Sequence, residues 1–174
     1  MIVETTRSLI ELLRTSIEPN TVLSAGAITE ISRLPVVVLS GPSLTEKKRL
    51  MRDPARITKI DDEKAMREVP PRWYDLRFDV SLACESNLEL FELIEKFSRL
   101  NQSRITISAK NEDRGERIYT WGWNLMASSD VVPNVSQVFQ GKGEIIVYDV
   151  EIYSNIINEV PLISEVQPEV NLSE

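Results

Sequence analysis

Histidine is missing from all 174 residues. That removes the commonest general base, the commonest metal ligand and every Ser-His or Cys-His arrangement that activates a nucleophile. Carboxylates or lysine can do such work alone, but the sequence places no clustered pair of them, and catalysis is not expected. Cysteine is nearly missing: Cys84 is single, so an internal disulfide is excluded. It falls on the apolar side of an alternating segment and reads as a buried structural thiol. No apolar run approaches the roughly 20 residues that cross a bilayer, so no membrane partner is expected. Met1-Ile2-Val3-Glu4 has no basic region followed by an apolar stretch, and a secretory signal is not expected. Around Gly41-Pro42-Ser43 there is one glycine where a phosphate-binding loop needs several. A formal net charge of −7 argues against a general nucleic-acid binder, which gains affinity by neutralising phosphates.

The acidic residues do not assemble a site either. Asp61-Asp62-Glu63 lacks the glycine-punctuated spacing of a cation loop and reads as an exposed run beside Lys59 and Lys64. Asp75 and Asp79 share a strand face about 13 Å apart, too wide for a paired acid and base. Arg77 between them gives a surface salt-bridge ladder along the strand. No catalytic residue, metal or cofactor is expected.

What is present is architecture. In residues 72–84, Tyr74, Leu76, Phe78, Val80, Leu82 and Cys84 alternate with Asp75, Arg77, Asp79 and Ser81, the pattern of a strand buried on one side. Ser86-Asn87-Leu88-Glu89 then reads as a capping box, with the glutamate reaching back to the N–H of Ser86. The helix after it carries Leu90, Leu93, Ile94, Phe97 and Leu100 on one stripe and Glu89, Glu92, Glu95, Lys96 and Arg99 outside. Residues 5–17 give an earlier helix. Residues 34–40 read as a central strand stopped by Gly41-Pro42, and 20–34 have no clear pattern. Tyr119, Trp121, Trp123 and Leu125 alternate as a third strand, with aromatics suited to a sheet core or an interface. Ile146, Tyr148, Val150 and Ile152 alternate as a fourth, after a long connection over 127–143. Residues 104–108 form a further short strand, and 110–116 an exposed turn.

The reading is one α+β domain over 1–158: a mainly antiparallel sheet of four or more strands, two helices on one face, order α-β-β-α-β-β. A charged arm or long hairpin occupies 44–71, and 159–174 is an extended or disordered tail. Lys47, Lys48, Arg49, Arg52, Arg56 and Lys59 make the arm basic in an acidic chain. They are candidates for contact with an acidic partner, which another copy of the chain would supply.

Three features carry a resemblance to a known family. They are the element order with an early helix, the block Arg72-Trp73-Tyr74-Asp75-Leu76-Arg77-Phe78-Asp79-Val80 leading into Leu90-Phe91-Glu92-Leu93-Ile94-Glu95-Lys96, and the segment Pro133-Asn134-Val135-Ser136-Gln137-Val138-Phe139-Gln140-Gly141-Lys142-Gly143 running into a closing strand. Together they cover about half the chain, which resembles the tail terminator proteins of long-tailed bacteriophages, also called tail-completion or tail-to-head joining proteins. The arm is longer than in the smallest members. The resemblance implies a small α+β subunit of a ring, expected to be a hexamer. That ring would cap the tail tube, stop its polymerisation and later dock on the head connector. Partners would be the chain itself, the tube protein and the head-completion protein, with DNA passing through unbound. The location would be the virion tail, assembled in the host cytoplasm. Arg114, Asn134, Gln137, Phe139 and Gln140 join the arm's cations as expected contacts with subunit or tube, with 110–116 and 127–143 presented as loops. The alternative is a non-viral α+β adaptor or ligand-binding module, monomeric or dimeric, without catalysis.

Overall fold

The computed structural model describes residues 1–24, 33–47, 56–59, 64–68, 71–103, 105–111, 115–131, 138–153 and 157–161. They form two compact units. The first, Met1–Lys48 with Trp73–Ile152, is the body; the second joins Arg49–Arg72 to Tyr153–Glu174. The protein is α+β, with two helices, α1 (Ile2–Ser16) and α2 (Asn87–Gln102). The body holds a five-stranded sheet built from β1 (Thr21–Ser24), β2 (Val36–Lys47), β5 (Arg72–Cys84), β8 (Trp121–Val131) and β9 (Phe139–Ile152). Between β2 and β5 in sequence lie β3 (Arg56–Lys59) and β4 (Lys64–Glu68), and β6 (Ile107–Asn111) and β7 (Gly115–Tyr119) follow α2. The last strand is β10 (Ile157–Pro161).

The large sheet has the order β1-β2-β5-β9-β8. It is a mixed sheet, where a mainly antiparallel one of four or more strands was expected: β1 runs parallel to β2, whereas β2–β5 and β8–β9 are antiparallel. The expected order α-β-β-α-β-β is corrected, among the described residues, to one helix, five strands, a second helix and five more strands. β1 is only four residues long, too short to show alternation, which is why 20–34 gave no pattern. A parallel neighbour needs a crossover connection rather than a tight turn. β6 and β7 form a separate antiparallel hairpin enclosing residues 112–114. Of the exposed turn expected over 110–116, Lys110, Asn111, Gly115 and Glu116 are strand, and 112–114 lie outside the described residues. The second unit is a three-stranded antiparallel sheet, β10-β4-β3. The arm is a hairpin over part of its length, and a C-terminal strand from the stretch read as tail pairs with it.

Two other expectations shift for one reason, the bulge. Gly41-Pro42 does not end β2; the strand slips register between Ser40 and Ser43 and continues to Lys47. Gly41 has φ +114, and a Cβ there would lie 3.0 Å from the Arg77 carbonyl oxygen, so glycine suits the position. β8 and β9 likewise run on through most of the supposed connection at 127–143, with register shifts between Leu125 and Ala127 and between Ser128 and Asp130. Each inserted residue breaks the period-two pattern, which hid the strand.

One face of the sheet carries the core. Val37, Leu39, Leu76, Phe78, Val80, Leu82 and Cys84 are buried there beneath Leu9 and Leu13 of α1 and Leu90, Leu93, Phe97 and Leu100 of α2. Both helices therefore lie on one face, and the alternation read over 72–84 is the observed one. On β9 the inward set is Ile145, Val147 and Val150. Ile146 and Tyr148, which shared one face with Val150 in the sequence pattern, are half-buried instead. The three-residue step brackets Asp149, whose φ is +56. Trp121 and Trp123 are buried, and the Trp123 ring stacks on Phe97 with centroids 4.4 Å apart. A Cβ at Gly143 would lie 2.2 Å from Trp123 Cη2, so this glycine makes room for the indole.

The α2 cap forms with one change. Glu89 N donates to Ser86 Oγ at 3.2 Å, as expected, but Glu89 Oε2 accepts from the backbone of Glu85, one residue before the expected donor.

Candidate interaction surfaces

α1 turns Leu9 and Leu13 inward; Ile2 and Ile10, half-buried against the core, and Val3, 64% exposed, line its flank. That flank, Leu23 of β1 and Pro42 of the β2 bulge enclose a groove of about 470 Å³. Arg7, Glu11 and Arg14 supply its charge. Thr6 Oγ1 is occupied internally, donating to Ile2 O at 2.8 Å. Arg14 Nε donates to Thr21 O at 2.9 Å, which fixes a guanidinium beside the groove and covers a carbonyl of the short β1 edge. The arrangement suits an apolar group with negative charge around it.

α2 presents a convex surface. Its inward stripe is the expected one, yet Leu88 (68% exposed) and Phe91 (55%) lie outside that stripe. Exposed Glu85, Glu92 and Glu95 flank them, and Glu95 accepts from Arg99 at 2.6 Å. A large exposed aromatic beside an aliphatic on an otherwise well-patterned helix is an interaction signal. It was available in the sequence as two apolar residues out of phase. A third apolar spot is Leu125 and Met126 on β8, the opposite margin of the sheet from β1.

The basic residues assigned to the arm separate. Lys47 belongs to β2, inside the body sheet, where its Nζ lies 3.0 Å from Asp75 Oδ1 and 3.1 Å from Asp149 Oδ1. It also sits 5.5 Å from the Tyr148 ring centroid. The Asp149 backbone N–H donates to Asp75 Oδ1 at 3.1 Å. Burial alone would lower the Lys47 pKa, but the hydrogen bonds and charges of the two aspartates outweigh it and the net shift is upward. Lys47 thus links β2, β5 and β9. Arg56 and Lys59 are the first and last residues of β3 in the second unit. Phe139 and Gln140 open β9 opposite Val131 and Asp130, half-buried, with Phe139 packed on the core. Lys48, Arg49, Arg52, Arg114, Asn134 and Gln137 lie outside the described residues, as does Asp61-Asp62-Glu63.

The ladder expected along β5 runs across the sheet instead: Asp75 meets Lys47, and Arg77 Nε lies 3.4 Å from Glu144 Oε2 on β9. Strand neighbours on the same face are closer across the ladder than along it. Cys84 is fully buried, and burial, followed by the charges of Glu89 and Glu18, pushes its thiol up to about 11. At neutral pH it is a protonated core side chain. Among the described residues no group of three or more Cys, Asp or Glu is placed to hold a metal ion, and no helix is long and apolar enough to cross a membrane. Neither a protein-family model nor a curated protein matches the chain.

Proposed function

We propose that this chain is a structural subunit of a ring like those of phage tail terminators, a hexamer that caps the tail tube, stops its growth and offers its other side to the head connector. The observation that carries the reading is the pair of exposed apolar surfaces on one well-packed body, the groove at α1 and the Leu88/Phe91 ridge of α2. A subunit that assembles with copies and with unlike neighbours needs separate sticky surfaces on a rigid frame. The α+β body, with both helices on one side of a sheet, is the kind of subunit that the sequence resemblance implies. Function here is association: no bond is made or broken, and no cofactor takes part. DNA is to pass through the ring, and the acidic charge favours passage over adhesion. The ring's place is the virion tail, after assembly in the host cytoplasm.

The test is tube growth. Adding the chain to polymerising tube subunits is expected to shorten the tubes and leave a ring at one end. The free or tube-bound assembly is expected near six times 19.8 kDa. Unchanged tube length rejects the reading. The 470 Å³ groove favours a second reading, a ligand-binding module, because it falls in the size range of small-molecule sites. That reading requires a monomer or dimer that leaves tube growth unaffected.

A further inference from the structure

The groove and the ridge belong to different elements of one body, one a hollow with basic side chains at its edge and the other an exposed apolar pair with acidic neighbours. The groove is concave, apolar and edged by Arg7 and Arg14, with Glu11 as the single acid among its lining residues. The ridge is tipped by Leu88 and Phe91 and flanked by Glu85 and Glu92, with Glu95 beyond them already paired with Arg99. Neither fits itself. A ridge against a ridge would bring like charges together, and two grooves would enclose empty space. α1 packs against β6 and β1, while α2 packs over β8 and β9, so groove and ridge belong to helices with different neighbours.

We propose that the Leu88/Phe91 ridge of one copy seats in the α1–β1 groove of the next. The proposal rests on the ring reading above and names the contact that would build the ring. The occupant is a second copy for two reasons. The groove's edge is locally basic on a chain of net charge −7, and that chain itself carries an exposed apolar helix face surrounded by glutamates. Phe91 and Leu88 bring the large apolar area typical of an interface anchor, and the arginines meet the glutamates around it, where charge pairing guides register. Because the two patches differ, the contact is head-to-tail. A contact of that kind closes into a ring when its rotation divides a full turn, and otherwise runs on as a filament.

The experiment uses two full-length variants whose changes fall on exposed residues. Leu88→Lys with Phe91→Lys destroys the ridge; Val3→Glu with Arg7→Glu destroys the groove. Each variant alone is expected to sediment as a monomer, with an unchanged circular dichroism spectrum, where the unmodified chain forms its closed assembly. Mixed in equal amounts, the two are expected to form a heterodimer and nothing larger, because one intact ridge and one intact groove remain. Both variants should also lose the ability to shorten tubes. A variant that assembles like the unmodified chain, or a mixture that stays monomeric, overturns the ridge-and-groove contact. If the unmodified chain still shortens tubes in that case, the ring reading stands without this contact. If the unmodified chain leaves tube length unchanged, the ring reading itself fails.

Discussion

The two faces of the five-stranded sheet are held by different forces. On the helix side, apolar side chains from both helices, four strands of the sheet and the β6–β7 hairpin bury one another almost completely, and the Phe97–Trp123–Gly143 stack fills the space above β9. On the other side the contacts are ionic and partly wet: Lys47 with Asp75 and Asp149, then Arg77 with Glu144. Among the described residues, Val36, Val38 and Ala83, with Leu34 and Val138 against them, form an apolar patch there. The difference separates stability from alignment. Close-packed apolar burial removes water from large areas and sets the folding free energy. Exposed ion pairs contribute little each, because water and salt screen them. What they do is fix which strand ends meet.

The largest expected effect breaks the core side. Trp123→Ala removes a buried indole, unstacks Phe97 and leaves a cavity, which costs about 3–5 kcal/mol and shows as a lower urea midpoint. A loss below about 1 kcal/mol would mean that the stack is not what holds α2 to the sheet.

The next effect belongs to Cys84 and depends on pH. Its thiol moves from an ordinary 9.0 to about 11, first because it is buried and then because Glu89 and Glu18 are near. Between those values the folded chain keeps a proton that the unfolded chain has released. The stability is therefore whole below about pH 9 and falls as pH rises toward 11, by roughly 2–3 kcal/mol over the window. Lys47, whose folded pKa is raised, acts in the same direction: its contribution is present below the ordinary lysine value and lost as pH passes the folded one. Comparing urea midpoints at pH 8 and 10.5 for the unmodified chain and Cys84→Ala separates the two. The variant should show a shallower decline. Equal slopes would remove Cys84 from the account.

Gly143→Ala tests the same stack by overfilling it. A Cβ placed 2.2 Å from Trp123 Cη2 must push the indole or bend β9, for about 1–3 kcal/mol. Ala at Gly115, where nothing lies within 4 Å but φ is +73, separates crowding from backbone strain.

The core side was legible in the sequence, and the other features less so, for a physical reason. β5 and α2 keep an unbroken period, two residues in one and nearly four in the other, so their inward sets could be read by inspection. β8 and β9 contain bulges and the left-handed Asp149, each of which shifts the phase, so their true length stayed hidden. β1 is four residues long and depends on a parallel partner, and tertiary pairing leaves little mark on so short a segment. Lys47 read as part of an exposed basic arm because Lys48 and Arg49 follow it. Its role depends on Asp149, 102 residues away, and sequence distance hides such a contact. Leu88 and Phe91 were visible as apolar residues outside the stripe, but only burial shows that nothing else in the body covers most of their surface.

The smallest effects fall on the wet side, and there the two ion clusters should differ from each other. Lys47 is partly exposed, so screening reduces what its two contacts contribute. Removing it by Lys47→Met nevertheless takes the shared ammonium from between Asp75 and Asp149, and the expected loss is about 1 kcal/mol. Arg77→Gln leaves a gentler situation. Arg77 is 52% exposed and makes a single 3.4 Å contact with Glu144. The Glu144 carboxylate keeps its second donor, Asn124 Nδ2 at 3.0 Å. The expected loss is therefore under about 0.5 kcal/mol. Added salt should shrink the Arg77 effect toward zero. In Lys47→Met, salt screens the repulsion between the aspartates, so part of the lost stability should return. Urea midpoints for both variants at low and high ionic strength measure this. If the Lys47→Met loss also vanishes at high salt, Lys47 is one more surface cation, and the link it makes among β2, β5 and β9 has no energetic meaning.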